Sequence, residues 1–400
     1  MTFKTIRNID VKNKRVLLRA DLNVPAKDGV VTDTTRIDRL KPTIDALTAA
    51  GAKVIVLSHF GRPKGVTPEL SLRFLVPALE KSWGHDVDFA DDCIGASVEK
   101  IIADLQAGEI LLLENVRFHA GEEKNDPAFT AALAKLGDIY VNDAFSAAHR
   151  AHSSTEGLAH HLPTAAGLLM EAELNALNAA LESPERPVAA IVGGAKISTK
   201  LELLGNLVEK ADLLILGGGM ANTFLHAMGV DMKKSLCEHD MAEQAREIIE
   251  KAVDRRCDLI LPVDGVWATA FAANAEHGTC DMESIPDGTM ILDVGPASVD
   301  MLKKRLLDVK TIVWNGPLGA FEVEPFDAGT VALAKFVADH TDLGTFISVA
   351  GGGDTVAALE HAGVTDNFTY ISTAGGAFLE WMEGKTLPGV AALSANKKAA

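Results

Sequence analysis

Cysteine is scarce in this chain: Cys93, Cys237, Cys257 and Cys280 are the four among 400 residues, and they form no Cys-x-x-Cys pair and no zinc spacing. No apolar stretch reaches the roughly 18 uninterrupted residues of a membrane span. The opening MTFKTIRNID lacks the apolar centre of a secretory signal. Positive charge is short as well, with 38 Lys and Arg against 55 Asp and Glu, a net of −17. A protein that coats nucleic acid needs the opposite balance. These absences predict a soluble, reduced, cytoplasmic chain whose main partner is neither nucleic acid nor a membrane.

Several nucleotide and hydrolase fingerprints are also missing. The turn Gly217-Gly218-Gly219-Met220-Ala221-Asn222 ends in Asn where a Gly-x-Gly-x-x-Gly motif needs glycine, which argues against a nicotinamide dehydrogenase. Gly384-Lys385-Thr386 resembles the end of a P-loop, but Leu379 stands where the leading glycine belongs. No Gly-x-Ser-x-Gly elbow offers a hydrolase nucleophile. His149-x-x-His152 has no third ligand at metal spacing.

What is present is apolar residue in quantity, 48% of the chain, enough for large cores. At roughly 150 residues per domain, the length implies two or three domains. Short β-branched and leucine-rich runs recur at residues 16–18, 54–57, 110–113, 139–141, 188–192 and 213–216. They continue at 259–261, 290–294, 311–314, 346–349 and 369–372. Continuous apolar runs suit strands buried on both faces of a parallel sheet. Between them lie segments with helical spacing, such as 240–255. The alternation predicts an α/β fold of two doubly wound, Rossmann-like parallel sheets. The stretch 168–181, LLMEAELNALNAAL, places Met170, Leu174, Leu177 and Leu181 on one helical stripe, and Ser183-Pro184 ends it. It is expected to be a helical hinge, giving domains at 1–170 and 185–382 with a linker at 171–184.

Ligands of open α/β sheets bind beyond the carboxyl ends of the strands. In the first half those ends are cationic: Arg19, Asp21, Leu22 and Asn23 with Arg36 beyond, then His59, Phe60, Gly61 and Arg62, then Arg117, then His149, Arg150 and His152. Guanidinium forks match carboxylate and phosphate oxygens, so these residues are expected to bind a small polyanion. In the second half the ends are glycine-rich: Gly193-Gly194-Ala195-Lys196, Gly217-Gly218-Gly219, Asn315-Gly316-Pro317, Gly351-Gly352-Gly353-Asp354-Thr355 and Ala374-Gly375-Gly376. Glycines let backbone amides approach phosphate oxygens at a helix start. Asp354 suits Mg²⁺, and Lys196 and Lys200 share a face if a helix begins there. An anion site, a nucleotide site and a hinge together predict phosphoryl transfer.

Over essentially its whole length the chain resembles the bacterial-type phosphoglycerate kinase family. The resemblance rests on residues 19–25, 58–63, 113–118 and 143–153, and on 192–200, 217–224, 314–322, 350–355 and 371–380. It implies reversible transfer of the acyl phosphate of 1,3-bisphosphoglycerate to Mg-ADP by a hinge-bending monomer. By position it assigns the phosphoglycerate to Asp21, Leu22, Asn23, Arg36, His59, Phe60, Gly61, Arg62, Arg117 and Arg150. The transferring phosphoryl group falls to Arg36, Lys196, Lys200 and Gly375. Nucleotide and metal fall to Lys200, Glu322, Gly352, Gly353, Asp354 and Thr355, with Asp354 on Mg²⁺. It also folds the tail, 383–400, back onto the first domain. Ala374 stands where the family commonly has a glycine, which costs energy if that backbone needs a positive φ. From a different class, a non-catalytic protein that responds to nucleotide is the alternative.

Overall fold

The computed structural model describes residues 3–395. The chain divides into two compact units: one holds the residues up to Leu174 and those from Thr386, the other Asn175–Lys385.

Unit 1 is built on β1 (Arg15–Arg19), β4 (Lys53–Leu57), β5 (Val87–Phe89), β6 (Ile110–Leu112), β7 (Ile139–Asn142) and β8 (Thr164–Ala166); a two-stranded hairpin, β2 (Ala26–Lys27) and β3 (Val30–Val31), lies outside that sheet. The sheet order is β5-β6-β4-β1-β7-β8, and every pairing is parallel. The run RVLLR is buried after its first residue, as expected of a central strand covered on both faces. Its alternating side chains feed two cores, one containing Val16 and Leu18, the other Leu17. The late helix Pro388–Ala395 contributes Ala392 to the second core, and Gly389 donates to the Ala148 carbonyl at 2.8 Å. Residues 396–400 of the expected tail lie outside the described residues.

Unit 2 repeats the architecture with β9 (Val188–Val192), β10 (Leu213–Leu216), β11 (Asp258–Ile260), β15 (Thr311–Asn315), β16 (Ile347–Gly351) and β17 (Tyr370–Ser372), ordered β11-β10-β9-β15-β16-β17 and parallel throughout. Both sheets are therefore doubly wound, with strand order reversing beside β1 and beside β9.

Three features differ from the sequence expectations. The run at 290–294 is not a strand of the parallel sheet. It is β14 (Met290–Val294), paired antiparallel with β12 (Asp264–Ala268), which also pairs antiparallel with β13 (His277–Asp281). The hinge stripe is α-helical only over Leu168–Leu177 and continues as a π-helical turn over Asn178–Glu182. Lys196 and Lys200 do not share a helix face, because that helix begins only at Leu201. Among the described residues, no helix is long and apolar enough to cross a membrane.

Candidate active site

At the carboxyl end of the unit 1 sheet, short polar contacts tie the strand-end loops together. Ser58 Oγ accepts from the Leu22 amide at 3.0 Å and donates to the Ala20 carbonyl at 2.8 Å. Asn23 Oδ1 accepts from the Gly61 amide at 2.9 Å. The Asn115 amide donates to the Phe60 and Leu70 carbonyls, and Arg117 donates to the Gly61 carbonyl at 2.7 Å. Asp21 holds Arg36 in an ion pair of 3.0 Å and accepts from the Ser146 hydroxyl, while Arg36 donates to the Asn23 carbonyl at 2.9 Å. The loop after β1 thus sets Arg36, and the loops after β4 and β6 set each other.

The electrostatics show how closely the cations gather. Burial lowers the Arg117 pKa to about 10, with repulsion from Arg150 adding to the shift. Burial brings His152 down to about 4, and Arg117, Arg150 and Arg19 push it the same way. His59, buried at the end of β4, is driven far below the ordinary imidazole range by burial and then by Arg19, Arg117 and Arg150. Both imidazoles are neutral at pH 7, and the guanidiniums around them repel one another. Such a group is stabilised by an incoming polyanion. Arg150 Nε contacts His149 Nε2 at 3.1 Å. Arg62 is exposed beside Gly61 and forms no ion pair among the described residues.

Arg19, one of the strand-end arginines, turns inward. It is 1% exposed, donates to Ser154 Oγ at 2.8 Å, to the Ala20 carbonyl and towards His59 Nδ1, and Glu122 opposes its charge. Glu122 in turn accepts from the Ser154 hydroxyl and amide. Arg19 therefore supports the site from below. A separate cleft of about 650 Å³ beside the β2–β3 hairpin, lined by Val30, Asp38, Phe74 and Lys81, lacks a convergent set of cations.

In unit 2 the glycine-rich turns pack backbone on backbone where the strand order reverses. A Cβ on Gly193 would lie 1.8 Å from the Pro317 carbonyl oxygen, so the loops after β9 and β15 touch only because side chains are absent. Beside them is a cavity of about 470 Å³. Gly194, Gly218 and Gly219 line it together with the apolar Leu236, Phe271 and Met290, and Asp293, Glu322 and Asp354 are its acidic residues. Met290 comes from the antiparallel insert; it, Leu236 and Phe271 were not expected as site residues.

Asn315 ties Lys200 to the carbonyl of Gly351, the residue before Gly352 and Gly353, and the Thr355 hydroxyl donates to the same carbonyl. Lys200 Nζ donates to Asn315 Oδ1 and to the Gly193 carbonyl, both at 2.7 Å, and Asn315 Nδ2 donates to the Gly351 carbonyl. Burial lowers the Lys200 pKa to about 8, and the nearby Asp354 carboxylate partly offsets this. Gly352 caps the helix Gly353–His361, whose first-turn amides lack intrahelical acceptors. The Thr355 hydroxyl is committed to the scaffold: it accepts from the Gly316 amide at 2.7 Å and donates to the Gly351 carbonyl at 2.8 Å. Lys196 is exposed, and Gly375 precedes the helix Gly376–Met382 beyond the edge strand β17. Gly375 itself takes the positive φ of 38°; Ala374 is not among the described residues with positive φ, so the departure from glycine is silent there.

The Asp354 carboxylate is exposed, sits in the first turn of its helix and receives no hydrogen bond among the described residues. One hard carboxylate at the lining of the unit 2 cavity is the protein share that Mg²⁺ takes, with phosphate and water completing its shell.

A cationic cluster in one doubly wound unit and a glycine-rich, carboxylate-bearing cavity in the other define a phosphotransferase. Comparison with known proteins narrows the class. The family described as phosphoglycerate kinase matches residues 6–385. Proteins named phosphoglycerate kinase from Rhizobium leguminosarum and Rhodospirillum centenum are each 62% identical over 396 residues; these alignments span 98% and 99% of this chain, and 99% and 100% of the relatives. The solved phosphoglycerate kinase of Coxiella burnetii superposes with a TM-score of 0.93 at 42% identity, covering 99% of this chain and all of that one. That of Pyrococcus horikoshii gives 0.81 at 33%, covering 98% of each. The chain belongs to the phosphoglycerate kinase family, and its activity is that of a phosphoglycerate kinase, a glycolytic transferase acting on small molecules. The non-catalytic alternative finds no support among these relatives.

Proposed function

We propose that unit 1 holds the phosphoglycerate and unit 2 holds Mg-ADP, and that the acyl phosphate passes directly from one to the other. The observation that carries this reading is the gathering of Arg117, Arg150, His59 and His152: burial first, and then the charges of neighbouring guanidiniums, lower the pKa values of Arg117, His59 and His152. A phosphorylated carboxylic acid supplies the negative charge that this set lacks. Asp21, Leu22, Asn23, Phe60, Gly61 and Arg62 line up beside it along the same loops.

On the nucleotide side, the apolar wall suits a base, Glu322 a ribose hydroxyl, and the amides of Gly353, Asp354 and Thr355 the phosphates. Mg²⁺ held by Asp354 would neutralise charge on the nucleotide's phosphate oxygens. Arg36, Lys196, Lys200 and the amides after Gly375 balance charge on the phosphoryl group while the acyl oxygen leaves as carboxylate. Neutral His59 and His152 leave that charge to the guanidiniums.

Reacting atoms must approach to about 3–3.5 Å, and water must be kept from a hydrolysable acyl phosphate. Closure of the units about 171–184 supplies both. The four cysteines are free thiols, in keeping with a reducing cytoplasm, where the protein acts as a monomer.

Mixing the protein with 1,3-bisphosphoglycerate and Mg-ADP is expected to yield ATP, with kcat for Arg36→Ala reduced about 10²–10³-fold. Near-normal turnover in a folded Arg36→Ala protein refutes the role of that guanidinium.

A further inference from the structure

Outside the nucleotide cavity, unit 2 brings together one thiol and two imidazoles that the kinase reaction does not use. His226 lies in the last turn of the helix Gly218–Ala227, and Cys237 and His239 lie on the segment that returns beside it. His239 Nδ1 is 3.1 Å from His226 Nε2 and 3.9 Å from Cys237 Sγ, and the three ligand atoms lie within 4.8 Å of one another.

The backbone holds this set in place. The Glu238 amide donates to Thr223 Oγ1 at 3.1 Å, and Asn222 Nδ2 to the Leu236 carbonyl at 3.2 Å, so both flanks of Cys237 are pinned to the helix. Glu238, at φ −91° and ψ 86°, stands just before the short 3-10 helix His239–Met241. Its carboxylate accepts from the Ser198 amide at 3.0 Å and the Ser198 hydroxyl at 2.6 Å, which holds the backbone between Cys237 and His239.

We propose that His226, Cys237 and His239 form a binding site for a borderline-soft divalent ion of the Zn²⁺ class, with the fourth position left to water. Tetrahedral zinc, with bonds of about 2.0 Å to nitrogen and 2.3 Å to sulfur, places its ligand atoms about 3.3–3.5 Å apart. The observed separations need adjustments of only a few tenths of an ångström on the two measured edges. One sulfur and two nitrogens select zinc or cobalt over Mg²⁺, which takes oxygen ligands. The ion ties the end of the helix to residues 237–239, and through Glu238 to the loop carrying Lys196 and Lys200.

A second group, Asp92, Cys93 and His119 in unit 1, is the natural control. Its Cys93 is fully buried and donates its thiol proton to the Glu114 carbonyl.

The test titrates metal-free, nucleotide-free protein with Zn²⁺ against a chromophoric chelator, and with Co²⁺ followed by absorption. The expected result is one ion per chain, a thiolate-to-cobalt charge-transfer band, and a Tm that rises with Zn²⁺. Cys237→Ser and His226→Gln should each weaken binding by at least about 100-fold, the upper end of what losing an outer-shell partner costs. Both should keep kinase turnover with Mg-ADP in the absence of Zn²⁺, and His119→Gln should keep the binding. Absence of stoichiometric binding overturns the proposal, as does binding that survives Cys237→Ser or is lost in His119→Gln alone.

Discussion

Lys200 is a residue of the candidate site whose charge is finely balanced. Burial lowers its pKa to about 8, so the folded protein holds fewer protons here than the unfolded chain between about pH 8 and 10.5. The cost of burying the ammonium is therefore full below pH 8 and fades as pH rises through that window. Two results should follow. ADP affinity, measured by calorimetry, should fall as pH passes above about 8. Lys200→Met should weaken ADP binding at pH 7 while leaving Tm unchanged or higher, since a buried charge has been removed. A lowered Tm with unchanged ADP affinity would make Lys200 a structural residue. At this scale the sequence was informative wherever chemistry is local to the chain. Lys200, Asp354, Arg117 and Arg150 were legible because each lies in the loop or helix start that follows an apolar run. The inward turn of Arg19 was not, since Glu122 and Ser154, which hold it there, are remote in sequence.

Elements fix the site through loops that approach one another closely. Gly352 has φ 98°, and a Cβ there would meet Asn315 Nδ2 at 2.6 Å, the amide that anchors Lys200. Gly353, the next residue, has open space around its Cβ position and no positive φ. Gly352→Ala should cost about 1–3 kcal/mol in unit 2 and weaken ADP binding, whereas Gly353→Ala should leave denaturant stability nearly unchanged. Equal losses in the two variants would contradict this assignment of strain. Parallel strands were legible as apolar runs because both their faces are buried. The insert β12–β14 was not: β13 runs exposed and half-buried in turn, so 290–294 is the one stretch of it that presents an apolar run, and the apolar wall of the nucleotide cavity, to which Met290 contributes, had no sequence signal. Helix starts were the other weak point, since the turn at 193–200 delays its helix to Leu201 in order to aim Lys200 at Gly193 and Asn315.

For the whole molecule, the sequence displayed two architectures of one kind with opposite chemistry at their strand ends, and both sheets have that doubly wound form. The claim on which the mechanism depends is the division of labour between units. On the proposed reading neither half-site transfers phosphate alone: among the described residues, unit 1 gathers the guanidiniums, and unit 2 offers the glycine-rich turns and the carboxylate of Asp354. The most direct measurement is a crystal structure of the complex with Mg-ADP, 3-phosphoglycerate and a planar mimic of the transferring phosphoryl group. The account predicts 3-phosphoglycerate against Arg117, Arg150 and His59, ADP phosphates against Lys200 and residues 353–355, and Arg36 on the mimic. Both ligands held within one unit, or a mimic that touches neither Arg36 nor Lys200, would contradict it.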